Sequence, residues 1–246
     1  MGWLPGSGCK LWLQFDERRG NTAYDLSGYG NHGTIYGASF RRGKIGYALE
    51  FGGVDDYVDV AENIDLNPHT SDWSVEAWVK PISLTRGIYR NSGNYGFVVE
   101  SKRHVSTDNS LTLLMHYGTS ETSDAKWAFV WDGPSQAAGA ESDFFPPGRW
   151  YHLVGVRDGG NLYIYVNGKV YGPNNFLFAG SQISETTDID STSPIHLAHH
   201  GAWGIYSNGI IDEFRECNRV LTKKEGTSHY WYGIVPALRQ RELVRV

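Results

Sequence analysis

Turn signals recur at close intervals along this chain, and the segments between them alternate with period two. That pattern marks half-buried β-strands, whose successive side chains point to opposite faces. Trp73-Ser74-Val75-Glu76-Ala77-Trp78-Val79-Lys80 is the longest such run and stops at Pro81. Trp150 to Arg157 leads through Asp158-Gly159-Gly160 into Leu162-Tyr163-Ile164-Tyr165-Val166, which reads as a hairpin, and Asn167-Gly168 opens the next. Leu11 to Phe15, Tyr57 to Val60, Gly96 to Ser101, Leu111 to Tyr117, Lys126 to Trp131, Ile195 to His199 and Ile210 to Glu216 read as strands too. The count is about a dozen. Ser135 to Gly148 and Gly172 to Pro194 read as loops. One helix signal stands out, a capping box with Thr222 at N-cap and Glu225 at N3. Gly226 weakens it, so the expected helix is short. The architecture implied is all-β, an antiparallel sandwich or barrel with one short C-terminal helix.

Composition narrows the function classes. At 246 residues the chain can fill one large all-β domain. With 9 Trp, 15 Tyr, 10 Phe and only 20% charged residues, it is not a disordered chain. The net charge of −5 argues against nucleic acid as a partner. No apolar run is long enough for a membrane span. Met1 to Gly6 carries no basic or long apolar region, so no signal peptide is expected. The expected division is a domain over 1–229 and a C-terminal tail over 230–246, a candidate docking segment.

Several ordered pieces resemble the LamG-like jelly-roll domains of the concanavalin A-like lectin/glucanase superfamily. They include Asp25-Leu26-Ser27-Gly28-Tyr29-Gly30-Asn31-His32-Gly33, Gly43-Lys44-Ile45-Gly46-Tyr47-Ala48-Leu49 and Ser74-Val75-Glu76-Ala77-Trp78-Val79. Trp150-Tyr151-His152, Tyr165-Val166-Asn167-Gly168 and Gly209-Ile210-Ile211-Asp212-Glu213-Phe214-Arg215 continue the set. The resemblance runs over residues 10–226 and implies a two-sheet jelly-roll β-sandwich. It is specific for fold and weak for function, because this fold serves many tasks. Two departures stand out: Glu216 replaces a usual hydrophobic residue, and Cys217 stands where Tyr is frequent. In the resembled fold the first and last strands are antiparallel neighbours. That placement implies a Cys9–Cys217 disulfide, the other reading being two separate thiols.

Catalytic motifs are absent. The glucanases of the superfamily resemble one another in a Glu-x-Asp-x-Glu strand, which puts two carboxylates on one face. Here Glu141-Ser142-Asp143 begins such a run and Phe144-Phe145-Pro146 ends it. A structural calcium is the expected cofactor, since relatives in the superfamily often bind one. Asp25, Asn31 and Asp212 are its candidate oxygen ligands. The alternative gives Asp25 a turn-capping role and Asp212 an ion pair with Arg215. His196, His199 and His200 invite a zinc reading, with His196 and His200 on one strand face, but local hydrogen bonding is the favoured role.

Aromatic side chains are the expected ligand-binding groups, because sugars stack their C–H faces on Trp and Tyr. Tyr163 and Tyr165 fall on the face opposite Leu162, Ile164 and Val166. Trp203 and Tyr206 sit in a Gly-bearing loop at a sandwich edge. The expected protein is a non-catalytic binding or structural module on an extracellular surface or a virion. Its expected partner is a glycan or cell-surface receptor. The alternative is a phage or virus decoration, fibre or receptor-binding protein whose tail makes a homo-oligomer or capsid contact. A glycoside-cleaving enzyme is the remaining class.

Overall fold

The computed structural model describes residues 8–86, 95–102, 110–118, 120–132, 137–173, 193–201 and 204–235. The first strands are β1 (Cys9–Leu13), β2 (Thr22–Ala23), β3 (Gly33–Tyr36), β4 (Ser39–Arg42), β5 (Tyr47–Gly52) and β6 (Tyr57–Val60). Next come β7 (Trp73–Ser83), β8 (Thr85–Arg86), β9 (Tyr95–Phe97), β10 (Glu100–Ser101), β11 (Ser110–Gly118), β12 (Ala125–Asp132) and β13 (Ala137–Phe145). The last are β14 (Tyr151–Asp158), β15 (Asn161–Val166), β16 (Lys169–Tyr171), β17 (Ile195–Leu197), β18 (His199–His200), β19 (Ile205–Tyr206) and β20 (Asn208–Cys217). Among the described residues one α-helix, α1 (Lys223–Ile234), follows.

One layer is an eight-stranded sheet in the order β16-β15-β14-β7-β20-β5-β4, with β1 also paired to β20. The facing layer joins two five-stranded sheets, β10-β17-β6-β3-β2 and β13-β12-β11-β9-β8. One core fills the space between, from Leu11, Phe51, Val75 and Leu153 on one side to Val58, Leu197, Trp127 and Phe129 on the other. The architecture is therefore the two-layer sandwich. Both expected hairpins form: Gly159-Gly160 and Asn167-Gly168 each hold two successive positive φ angles, as two-residue turns between twisted strands require. No described helix is long and apolar enough to cross a membrane.

One local expectation is corrected. Ser135 to Gly148 is not a loop, because β13 pairs with β12 from Ala137 to Phe145. Its small residues are the reason: Ala138 and Ala140 lie opposite Trp131 and Phe129, so each alanine leaves room for a large core ring. The C-terminal helix forms as expected, over twelve residues. Its capping box forms as expected, and Gly226 does not break it because packing holds the helix. A Cβ at Gly226 would meet Tyr165 at 3.1 Å, and one at Gly233 would meet Trp78 at 2.2 Å. The two glycines, one heptad apart, let α1 lie directly on the outer face of the eight-stranded sheet.

Cys9 and Cys217 are register partners across β1 and β20 and form a disulfide. It closes a loop of sequence separation 208. Glu216, beside it, is buried with Lys102 and Trp73. Burial lifts its carboxyl to about 7, against the pull of Lys102 and the Trp73 indole.

Three outcomes follow from this packing. Replacing Cys9 and Cys217 by serine lowers Tm by roughly 10 °C or more, the chain-entropy model giving an upper figure of about 5 kcal/mol for so long a loop. An unchanged Tm would show that the bridge does not constrain the unfolded chain. Gly233→Ala destabilises by about 1–3 kcal/mol in urea, although an exposed helical Gly→Ala gains about 1 kcal/mol. For Glu216, the folded state keeps its proton longer than the unfolded state, where 4.5 applies. Its stabilising share is therefore complete below pH 4.5 and lost as pH rises through about 7. Glu216→Gln flattens that slope and is more stable than the parent at pH 8, by on the order of 1–3 kcal/mol.

Candidate functional site

The outer face of the β10-β17-β6-β3-β2 sheet carries a strip of rings. Ile35, Val58, Val60, Ile195 and Leu197 of these strands point into the core. Period two then sends Tyr36, Tyr57, Asp59 and His196 outward. Tyr36 lies opposite Tyr57 in register, and their rings stack at 4.6 Å with 14° between planes. His196 lies opposite Asp59, Nε2 to Oδ1 at 3.4 Å. His199 lies opposite Tyr206, stacked at 4.2 Å. Tyr57 ties the groups together, with its ring centroid 5.4 Å from both His196 and His199 and 6.4 Å from Tyr206.

His196 and His199 are three residues apart, a spacing that a regular strand splits between its two faces. Ala198 between them has φ 63°, and this left-handed residue reverses the alternation. The two imidazoles come to 5.0 Å. The structure therefore corrects the expected pairing of His196 with His200. The kink is held from both sides: Ala198 N–H donates to Val99 O at 3.0 Å, and Ser207 N–H donates to Ala198 O at 2.7 Å. Ser207 Oγ accepts from Val98 N at 2.7 Å, and Thr85 Oγ1 donates to Tyr206 O at 2.6 Å. The strip thus stands on fixed backbone, as a preorganised site requires.

Tyr36 is 44% exposed, whereas His196 and His199 are 6% and 9% exposed, so ligand contact falls to the tyrosines with the imidazoles behind them. Tyr57, Tyr206 and Asp59 are half-buried. Burial, then the neighbouring Tyr36, Asp59 and Tyr206, raises the Tyr57 phenol, which keeps its proton as a hydrogen-bond donor at neutral pH.

The expected site residues are distributed as follows. Tyr206 is in the strip, and Trp203 lies outside the described residues. Tyr163 and Tyr165 do face away from the main core, but Tyr165 is buried beneath α1 and Tyr163 stands half-buried beside it. Asp25 and Asn31 come together. Asp25 Oδ1 accepts from Trp12 N and Ser27 N, both at 2.9 Å, and Oδ2 accepts from Ser27 Oγ at 2.7 Å and Asn31 N at 2.9 Å. Asn31 Oδ1 accepts from Asn63 Nδ2 at 2.7 Å. The loop is closed by its own donors together with Trp12 N and Asn63 Nδ2. Asp212 sits elsewhere, under the β4–β5 turn, where its Oδ2 accepts from Ile45 N at 2.8 Å. Among the described residues, no group of three or more His, Cys, Asp or Glu could hold a metal ion.

A second cluster lies between the eight-stranded sheet and α1. His152 Nε2 and His229 Nδ1 each approach Glu76 Oε1 at 2.8 Å, and Arg215 Nε lies 3.5 Å from Oε2. Burial works to raise Glu76, but His229, Arg215 and His152 outweigh it and hold the carboxyl well below its ordinary range. Burial pushes Asp212 well above its range, with Glu213 adding to the effect. Glu76, Asp212 and Glu213 are each at most 1% exposed, and Glu76 anchors α1 through His229.

Sequence reasoning reached Tyr206 through its loop and missed Tyr36, Tyr57 and Asp59. The available signal was the outward half of Thr34-Ile35-Tyr36 and Tyr57-Val58-Asp59-Val60.

Comparison with known proteins places this geometry in a family. No curated protein sequence matches the chain. Among solved structures, domain 4 of AbnA, a GH43 extracellular arabinanase from Geobacillus stearothermophilus bound to arabinotriose, has a TM-score of 0.60 and 19% identity, covering 90% of this chain and 97% of that one. The binding domain of Paraclostridial Mosquitocidal Protein 1 has a TM-score of 0.65 and 14% identity, covering 91% of this chain and 52% of that one. The binding domain of botulinum neurotoxin DC, in complex with rat synaptotagmin II, has a TM-score of 0.62 and 16% identity, covering 92% of this chain and 52% of that one. The chain spans about half the length of these two toxin domains, and at such identities the likeness is one of fold. A family model, Laminin_G_3, matches residues 51–225, most of the sandwich, and the chain belongs to this family of the concanavalin A-like lectin/glucanases superfamily.

Proposed function

We propose that the chain is a non-catalytic carbohydrate-binding module that works outside the cell. The strip of Tyr36, Tyr57 and Tyr206, backed by His196 and His199 and edged by Asp59, is its glycan site. The observation that carries this reading is the stacked, register-built ring surface on an outer sheet face, with a carboxylate at its rim. Ring faces take the C–H side of a sugar, while Asp59 and the phenols take its hydroxyls. The arabinanase domain bound to arabinotriose and the botulinum binding domain in complex with SialylT lend support from the fold. The Cys9–Cys217 disulfide suits an oxidising, extracellular setting.

The test is a glycan array with the intact chain, followed by calorimetry on the best neutral ligand. Tyr36→Ala and Tyr206→Ala each weaken binding about 3- to 10-fold, the range of one lost ring contact. Tyr36 is 44% exposed, so its variant stays folded and loses at most about 1 kcal/mol with the Tyr57 stack. Full affinity in both variants would move the site elsewhere, and a blank array would remove the glycan reading.

A further inference from the structure

Helix α1 turns one flank to the sheet and the other to solvent. Gly226, His229, Tyr230 and Gly233 lie against the sheet. At 3.6 residues per turn, Lys223, Lys224, Thr227, Ser228 and Trp231 fall together on the outward flank. Among the described residues these five line one open recess of about 560 Å³. The C-terminal end of the flank is apolar, with Trp231 50% exposed and Ile234 exposed beyond it. Among the described residues the ring neighbour of Trp231 is Tyr230, at 5.4 Å. Half an indole is thus left in water on the outside of a helix.

The other end of the flank is cationic. Lys223 and Lys224 stand exposed in the first turn. Among the described residues, neither has a carboxylate within ion-pair distance, since Glu225 beside them pairs with Arg219. Their place does not suit an isolated helix, whose N-terminal dipole end favours anions. The last turn, where cations are favoured, carries no basic residue. It ends, as every α-helix does, in carbonyls without helical donors. Cations and ring therefore occupy opposite ends of one flank, each without its counterpart.

We propose that the outward flank of α1 is a self-association surface, on which a second copy of this chain docks its own α1 antiparallel about a two-fold axis. An axis at Thr227 and Ser228 sets Lys223 against Trp231 of the second copy. The indole then enters the recess between Lys223, Lys224, Thr227 and Ser228 as a knob enters a hole. The ammonium groups lie over its face and near the other helix's last carbonyls. Parallel helices would set lysine on lysine. The contact is self-complementary and closes with two copies, so it makes a dimer and no filament. A twelve-residue helix is about 18 Å long, so the contact is small and its Kd is on the order of 10 µM. The association does not depend on the glycan reading. Given that reading, α1 and the ring strip lie on opposite layers, so a dimer holds two strips facing apart and can bridge two ligand chains.

Sedimentation equilibrium of the full chain, in about 0.15 M salt to screen its net negative charge, reads the association. The expected mass rises from one chain to two between about 1 and 300 µM, with no larger species. Trp231→Ala weakens the dimer about tenfold or more. Lys224→Glu weakens it about tenfold, although a carboxylate in the first turn suits the helix, so that loss is not one of folding. Ser228→Cys, beside the axis, cross-links two copies on mild oxidation, while Lys223→Cys, toward the helix end, does not. The Cys9–Cys217 bridge is buried and takes no part. Tyr36→Ala leaves the dimer intact, which separates this surface from the glycan strip. A chain still monomeric at about 300 µM would overturn the proposal and leave the flank to another occupant. Full association in both Trp231→Ala and Lys224→Glu would do the same, as would equal cross-linking through Lys223→Cys and Ser228→Cys.

Discussion

One strand has to satisfy three partners. β20 pairs with β7 along one edge, while its other edge is shared, with β5 over Asn208–Ile211 and with β1 from Phe214 to Cys217. Every backbone N–H and C=O of this buried strand needs a partner, so the two halves must be fitted to two differently placed neighbours. The misfit is absorbed by a bulge between Asp212 and Arg215, where Glu213 takes φ 53°. The extra residue sends charged side chains to the outer face. Trp12 Nε1 donates to Glu213 at 2.9 Å, and Arg215 reaches Glu76.

Buried charges are tolerated only when paired and covered, since an unpaired one costs several kcal/mol. The helix is the cover. His229 of α1 completes the shell around Glu76, and Tyr230 stacks on Trp78 at 5.9 Å. Gly226 and Gly233 bring the helix close enough to do this. The consequence for function is spatial: the middle of the eight-stranded sheet is occupied from within the chain, Tyr165 included, while the strip on the opposite layer keeps Tyr36 in solvent.

Legibility in the sequence follows the range of the cause. Alternation and the Gly-Gly and Asn-Gly turns act over a few residues, and they revealed the long strands and both hairpins. The capping box of Thr222 and Glu225 is equally local. The reason for Gly226 was not legible, because it lies across space, in Tyr165. β13 was hidden because its alanines have low strand propensity, and only Trp131 and Phe129 opposite make them suitable. The two-residue strands carry no period at all. Tyr206 was readable from its loop, whereas Tyr36 and Tyr57 become a site only through a register that joins β3 to β6. The His196–His199 pair depended on a single φ angle at Ala198.

That angle belongs to a small set. Among the described residues, the non-glycine residues with positive φ are Phe15, Arg18, His69, Asn167, Ala198 and Glu213. Asn167 is at home in its hairpin turn. Ala198 builds the ring strip, Arg18 lies over Tyr47, and Glu213 makes the bulge that calls for the helix. Each such residue costs on the order of 1–2 kcal/mol, which surrounding contacts must offset. Ala198 has Val99 and Ser207 on its backbone, and Glu213 has Trp12 and Arg215 on its carboxylate. Among the described residues, Arg18 rests on the face of Tyr47. Of these three, Arg18 is the residue whose backbone strain the contacts among the described residues offset least.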